Sequence, residues 1–430
     1  MVQSLQNSGR HQSSMKIDID YIARVEGEAT VKLEIEGNNL KDLKLNIWEP
    51  PRFFEGLLCR RRFDEVPDIV ARICGICPVS HMTTSIRALE RALGLIPPPE
   101  IVNLRRIMAL SQIMASHLIH LYMLAMPDYQ GLNSIGDMLP KFRSEIKRLI
   151  KIKEVVNSVT SLFGGRSLHP VSMVVGGFTN LPSREMIVKV IKELEGIKGE
   201  AIEMLKIVSE FTFPYFKTDP EYVAIHIPSG YAINEGFIVS NKGIKIEEAE
   251  YYSVFEEDEV SYSNAKRTVI KGRGSFMSGA LARLNLKFDM LHEDAKKAAK
   301  DIGFNILDYN PFHNNLAQAI EVVHGISECI ELLEGLTSKI PEIQIRLREG
   351  EGFAATEAPR GLLCHHYVLN RRGVVERANI ITPTSHNFMS LEENLKKLVQ
   401  QFINEERQEI VLKCEMLVRA YDPCFSCSVH

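Results

Sequence analysis

The sequence predicts an α+β protein, in which long buried helices form a central bundle with small antiparallel sheets set against it. Three observations lead there. Apolar and polar residues alternate near the N-terminus, helical periodicity takes over from about residue 66, and glycine-rich strand patterns return in the middle and towards the C-terminus. With 430 residues, 45% of them hydrophobic, the chain can bury a sizeable core.

The first segment, MVQSLQNSGRHQSS, is polar and lacks the apolar stretch of a signal peptide. It reads as a disordered leader over residues 1–14, ahead of a single domain over residues 15–430. Residues 17–47 alternate as in KIDIDYI and ATVKLEIEGNNLKDLKLNI, with a turn at Asn38-Asn39, and predict a small antiparallel sheet. Residues 101–126 are apolar on several faces, which predicts a buried helix. Further helices are expected over 141–163, 184–211, 314–339 and 391–420. Gly164-Gly165 stops the first of these, and Pro182-Ser183 starts the second. Residues 222–274 read as polar strands, and a hairpin over 362–381 turns at Asn370-Arg371-Arg372-Gly373. No linker divides the chain.

The formal charge of -4 is small and mixed, so neither a nucleic acid nor an anionic membrane is indicated as a partner. The one basic cluster, Cys59-Arg60-Arg61-Arg62, reads as a solvated loop. No apolar run approaches the eighteen or so residues of a membrane span. Eight cysteines in a chain of this length do not make a disulfide scaffold. Cys59, Cys329, Cys364 and Cys414 are scattered, whereas the other four form two pairs.

RICGICPVSH holds Cys74, Cys77 and His81; DPCFSCSVH holds Asp422, Cys424, Cys427 and the last residue, His430. Thiolates are soft ligands for zinc, iron and nickel, and a two-residue gap lets both sulfurs face one centre. A structural zinc staple between the chain ends is one reading. Acids and guanidinium groups set among apolar residues favour a metal centre that handles protons: Arg24 and Glu26 in IARVEGE, Glu55 in RFFE, Glu357 and Arg360 in TEAPRG.

With these motifs in place the chain, from about Met15 to His430, resembles the large catalytic subunit of nickel-iron hydrogenases. IARVEG, RFFEG, SHLIHLYML, GGRSLHP, NPFHNNLAQAIE, EAPRG and TPTSHN occur in the family's order. The resemblance implies that fold and reversible heterolytic cleavage of dihydrogen. Cys74 and Cys424 would be terminal ligands of nickel, and Cys77 and Cys427 would bridge nickel to iron, whose shell is completed by carbon monoxide and cyanide. Arg360, with the backbone after Pro359, would pair with one cyanide and Thr384 with the other, while Asp422 holds Arg360. Glu55, the Ile380 carbonyl and His430 would bind magnesium or another divalent ion. Cys424 would take the first proton and pass it to Glu26, with Arg360 as the rival base. Ile76 and Leu124 fall at gas-channel constrictions.

The family also implies an iron-sulfur small subunit, for which GGRSLHP with His169 is the expected contact, and flavin and iron-sulfur electron-transfer subunits. Ser116 stands where periplasmic members carry aspartate, and His386 where they carry tryptophan. Those departures resemble the cytoplasmic bidirectional group, which passes electrons to NAD(P) or a similar soluble acceptor. An ending at His430 resembles the mature form, cleaved after that histidine. A non-catalytic scaffold subunit of a redox complex is the remaining alternative, and such relatives lack the cysteine ligands.

Overall fold

The computed structural model describes residues 14–336 and 343–430. The leader, apart from its last residue, and the end of the helix expected over 314–339 lie outside the described residues.

Strands Ser14–Ile19, Ala29–Glu36 and Asn39–Ile47 form an antiparallel sheet in that order. Ile17, Val31, Leu33, Leu43 and Leu45 are buried on alternate positions, as a one-sided sheet requires. The turn is Gly37-Asn38, one residue before the expected pair. The sheet is tied to the helix Pro383–Gln401, where Glu392 Oε2 accepts from the Leu45 N–H at 3.1 Å.

Helix Pro99–Ile119 packs against helices Arg143–Gly164 and Asn314–Glu334. It continues as a π-helical turn, His120–Ala125, and ends in a short helix, Met126–Tyr129. Contrary to the expectation about apolar runs, Pro99–Tyr129 is long and apolar enough to cross a membrane, but 78% of its apolar window is buried inside the protein. It is a core element of this fold. The segment expected as one helix over 184–211 is two, Arg184–Glu195 and Lys198–Ser209, interrupted at the poor helix former Gly196. That over 391–420 is also two, Pro383–Gln401 and Arg407–Ala420.

The glycine-rich middle forms short antiparallel strands between Val223 and Ile270. The hairpin over 362–381 belongs to a three-stranded sheet, Gly350–Ala358, Gly361–Leu369 and Val375–Ile381. Its first strand, which no periodicity in the sequence announces, lies on helix Pro78–Leu93 so closely that a Cβ at Gly352 would sit 2.0 Å from the Ala88 carbonyl oxygen. This contact sets the turn carrying Pro359 and Arg360 beside the cysteine motif that opens the helix.

Candidate metal centre

Cys74 lies in a loop and Cys77 is the N-cap of helix Pro78–Leu93, which begins with proline, a residue suited to the first helical turn. The second pair sits where helix Arg407–Ala420 has ended, with Cys424 opening the short helix Phe425–Ser428. All four cysteines are buried. Cys74 Sγ and Cys424 Sγ are 3.7 Å apart, and Cys74, Cys424 and Cys427 present sulfurs within 4.8 Å of one another. Cys77, Cys427 and a ring nitrogen of His81 form a second such group. In the structure Cys424 and Cys427 are joined as a disulfide. Ligation of a metal by this pair, as the sequence motifs lead one to expect, therefore requires its reduction to thiolates.

Two backbone N–H groups, of Ile76 and Cys77, donate to Cys74 Sγ at 3.3 and 3.2 Å. A hydrogen bond from the Cys77 thiol draws the Cys74 thiol below its ordinary range, against the effect of burial and with the help of the Arg360 charge. His81, enclosed with its Nδ1 3.2 Å from His365 Nε2, is pushed down to about 3 by burial and is neutral.

The loop carrying Glu26 pairs with the second motif: Phe425 N–H donates to the Glu26 carbonyl at 2.8 Å. Glu26 Oε2 lies 2.8 Å from Cys424 Sγ, and Oε1 accepts from Ser426 Oγ. Gly27 makes this approach possible, because a Cβ there would sit 2.5 Å from both Ser426 N and Glu49 Oε2, at a φ of 84°.

Arg360 Nε donates to Asp422 Oδ1 at 3.1 Å, and Nη1 is buried with no hydrogen-bond partner among the described residues. Burial opposes its charge, but Asp422, the cysteine sulfurs and Glu26 outweigh burial and raise the guanidinium further. The guanidinium is a cation here. The Pro359 and Ala358 carbonyls are held by Arg283, at 3.2 and 3.0 Å. Thr384 Oγ accepts from the Cys424 N–H at 2.9 Å, which leaves its own hydrogen for a second acceptor.

Glu55 Oε1 accepts from the Ile380 N–H at 2.8 Å and lies 3.5 Å from His430 Nε2. N–H and C=O leave an antiparallel strand on the same edge, so the Ile380 carbonyl faces Glu55 too. Burial pushes the Glu55 carboxyl up, but His430 and the Ile380 N–H outweigh it and hold it below its ordinary range. A cleft of about 420 Å³ opens here, lined also by Glu257 and Glu259. These oxygens and one imidazole suit a hard cation.

A nickel-dependent hydrogenase family model matches residues 52–150 and 312–430. The alpha subunit of sulfhydrogenase 1 from Pyrococcus furiosus is 35% identical, over 97% of this chain and 98% of that one. This chain belongs to the nickel-dependent hydrogenase family. One component of the F420-non-reducing hydrogenase of Methanothermobacter marburgensis is 28% identical, over 97% of this hydrogenase chain and 95% of that protein. The fold matches an NAD+-reducing [NiFe]-hydrogenase in the H2-reduced state, with a TM-score of 0.88 at 23% identity, over 97% and 99% of the two chains.

Family membership implies a nickel-iron centre, and the residues of this hydrogenase fit one. The donors are four buried sulfurs, and an unpaired guanidinium nitrogen faces the same anionic surroundings, where a negatively charged ligand would satisfy it.

Several residues of the site went unnoticed in the sequence. Arg52 Nη2 donates to the Ile73 carbonyl at 2.7 Å and to the Ser426 carbonyl at 2.5 Å, bridging the two cysteine motifs. It stands in the PRFFEG stretch noted for Glu55. Asp128, paired with Arg24 and with Arg419 Nε at 2.6 Å, ties the Glu26 loop to the helix ahead of Asp422. Ser426 stands between the two cysteines of DPCFSCSVH, whereas Arg283 lies in no motif. His169 donates from Nδ1 to the Ala71 carbonyl at 2.9 Å, just ahead of Cys74. Ile76 is half-buried, and Leu124 gives its carbonyl to Arg24.

Proposed function

We propose that this hydrogenase chain is the subunit that splits and forms dihydrogen, with Cys74, Cys77, Cys424 and Cys427 as the ligands of nickel and iron. In this reading Cys74 and Cys424 would hold nickel, and Cys77 and Cys427 would serve both nickel and iron. Once reduced, the Cys424–Cys427 pair would supply both of its thiolates to nickel and share one of them, Cys427, with iron. When bound, the centre supplies the Lewis acidity and the two-electron redox capacity that polarise dihydrogen.

The chain's own residues do the rest. Cys424 Sγ takes up the proton released first and passes it to Glu26 Oε2. The 2.8 Å contact between them is the observation that carries the reading, because a relay needs donor and acceptor within hydrogen-bond reach. Ser426 orients the other Glu26 oxygen. Arg360 Nη1 and the Thr384 hydroxyl would donate to the two cyanides that, with carbon monoxide, would complete the iron's shell. Asp422 holds Arg360, and Pro359 fixes its turn. Glu55, the Ile380 carbonyl and His430 hold magnesium or another divalent ion against the second cysteine motif.

Each dihydrogen gives two protons and two electrons. The electrons need an exit that the remaining cysteines, Cys59, Cys329, Cys364 and Cys414, are too dispersed to form. The reading therefore includes an iron-sulfur small subunit docked on the His169 segment, flavin and iron-sulfur partners beyond it, and a soluble acceptor such as NAD(P), in the cytoplasm. Relatives named as alpha subunits of sulfhydrogenases are consistent with that assembly. Residues 15–430 are taken to work as one domain.

The test is Glu26→Gln, which keeps shape and hydrogen bonding but cannot take up a proton. With nickel and iron retained, hydrogen-deuterium exchange with solvent and turnover in both directions are expected to collapse. Exchange at the wild-type rate would remove Glu26 from the relay.

A further inference from the structure

Helix Pro99–Ile119, with the π-helical turn that continues it, is joined to helix Asn314–Glu334 by two polar rungs. His117 Nε2 meets Glu321 Oε2 at 2.8 Å; three residues on, His120 Nδ1 meets Gln318 Oε1. Residues three apart share a helix face, so the rungs stack. They differ in one respect. His117 Nδ1 has no partner among the described residues, whereas both ring nitrogens of His120 face oxygen, with Nε2 2.7 Å from the Arg419 carbonyl.

A carbonyl oxygen carries no hydrogen, so Nε2 of His120 must carry one. The orientation of the Gln318 amide is set from its far side. Its Nε2 lies 3.0 Å from Asp422 Oδ2, and the Asp422 carboxylate accepts at Oδ1 from Arg360. Turning the amide over would set its oxygen against a carboxylate oxygen with no hydrogen between them. Gln318 therefore donates to Asp422 and offers its carbonyl oxygen to His120. Nδ1 must then carry a hydrogen as well.

We infer that His120 is a buried imidazolium, and that His120 and Gln318 are positioning residues that grip Asp422 from two sides. The Arg419 carbonyl that accepts from His120 also accepts from the Asp422 N–H, at 2.8 Å. His120 thus holds the peptide turn directly and the carboxylate through Gln318. Asp422 needs such a grip. Its φ of 48° is a left-handed conformation uncommon outside glycine, and it persists only where the surroundings over-determine it. The grip passes on to Arg360, whose Nε donates to the carboxylate so held. The π-helical turn begins at His120, and such local changes of helical register recur at functional sites.

The role of the grip rests on the reading of Arg360 and Asp422 given above, whereas the charge on His120 does not. Neutron diffraction from deuterium-exchanged crystals of the assembled holoenzyme reads that charge whatever metals are bound. Deuterons are expected on both His120 nitrogens, with the ND2 of Gln318 towards Asp422. A single deuteron on His120 overturns the inference. The positioning role is read from the infrared band of iron-bound cyanide in His120→Phe, Gln318→Leu and the double variant, at matched metal content. Each single change is expected to shift the band, and the double to shift it no further than the larger single, because both break one clamp. Additive shifts, or an unmoved band in Gln318→Leu, would overturn it.

Discussion

Glu321→Gln should cost the protein about 3 to 5 kcal/mol of stability, the range for a buried ion pair that loses one charge. Arg283 and Glu321 are both fully buried, and every guanidinium N–H is used. Nε and Nη2 reach the two Glu321 oxygens at 2.6 Å each, Nη1 reaches Glu357 Oε2 at 3.1 Å and the Ala358 carbonyl at 3.0 Å, and Nη2 also reaches the Pro359 carbonyl at 3.2 Å. An amide at position 321 can accept through one atom only, so its NH2 opposes one Arg283 N–H together with either Tyr231, at the Oε1 position, or His117, at the Oε2 position. Each charged hydrogen bond lost is worth about 1.5 to 3 kcal/mol, and one to two are lost. Urea unfolding followed by circular dichroism measures the shift. The damage is not only to stability, because Arg283 holds the two carbonyls ahead of Arg360, so turnover at matched metal content should fall too. Arg283→Met combined with Glu321→Leu should cost less than the two single changes added together, since each single change already breaks the same buried pair. A Glu321→Gln protein within about 0.5 kcal/mol of wild type, the scatter of ordinary surface changes, would refute the reasoning.

Two further outcomes follow from other parts of the molecule. Arg360→Lys should retain nickel and iron yet lose about 100-fold or more in dye-coupled hydrogen oxidation, as when a preorganised donor is removed, because an ammonium cannot both hold Asp422 and reach over the sulfurs. Glu328, buried beside His324 and Arg106, has its carboxyl held down at about 2: burial opposes this, but the interactions with His324 and with the Arg106 guanidinium outweigh burial. A lowered carboxyl contributes stability that is present above its unfolded value of about 4.3 and lost as pH falls through the folded one. Wild type should therefore lose about 3 kcal/mol more than Glu328→Gln between pH 5 and 2, measured by urea midpoints, and equal slopes would count against it.

The parts of the fold that could be read in the sequence are those in which one face meets water. Strands Ala29–Glu36 and Asn39–Ile47 alternate because one side is solvated, and helix Arg143–Gly164 shows its stop signal in Gly164-Gly165. Strand Gly350–Ala358 could not be read in this way. Buried on both faces from Phe353 onward, it has no alternation, and its glycines mark close packing on a helix backbone. The site divides similarly. Cysteines at ligand spacing announce themselves, whereas Arg283 stands in ALARLNLK, where an arginine is ordinarily a solvated surface residue. Its importance lies in Glu321 and Glu357, which are distant in sequence. Gln318 lies within NPFHNNLAQAIE, but only the fold reveals that it meets Asp422.

The central claim is that four sulfurs from opposite ends of the chain hold two different metals, two of the sulfurs being shared. Metal analysis of the natively produced protein tests it most directly, alongside alanine variants at Cys74, Cys77, Cys424 and Cys427. One nickel and one iron per chain are expected, and both should disappear together in each variant, because a shared thiolate makes the two sites interdependent. Stoichiometric zinc in the wild-type protein, with nickel absent, would contradict the account.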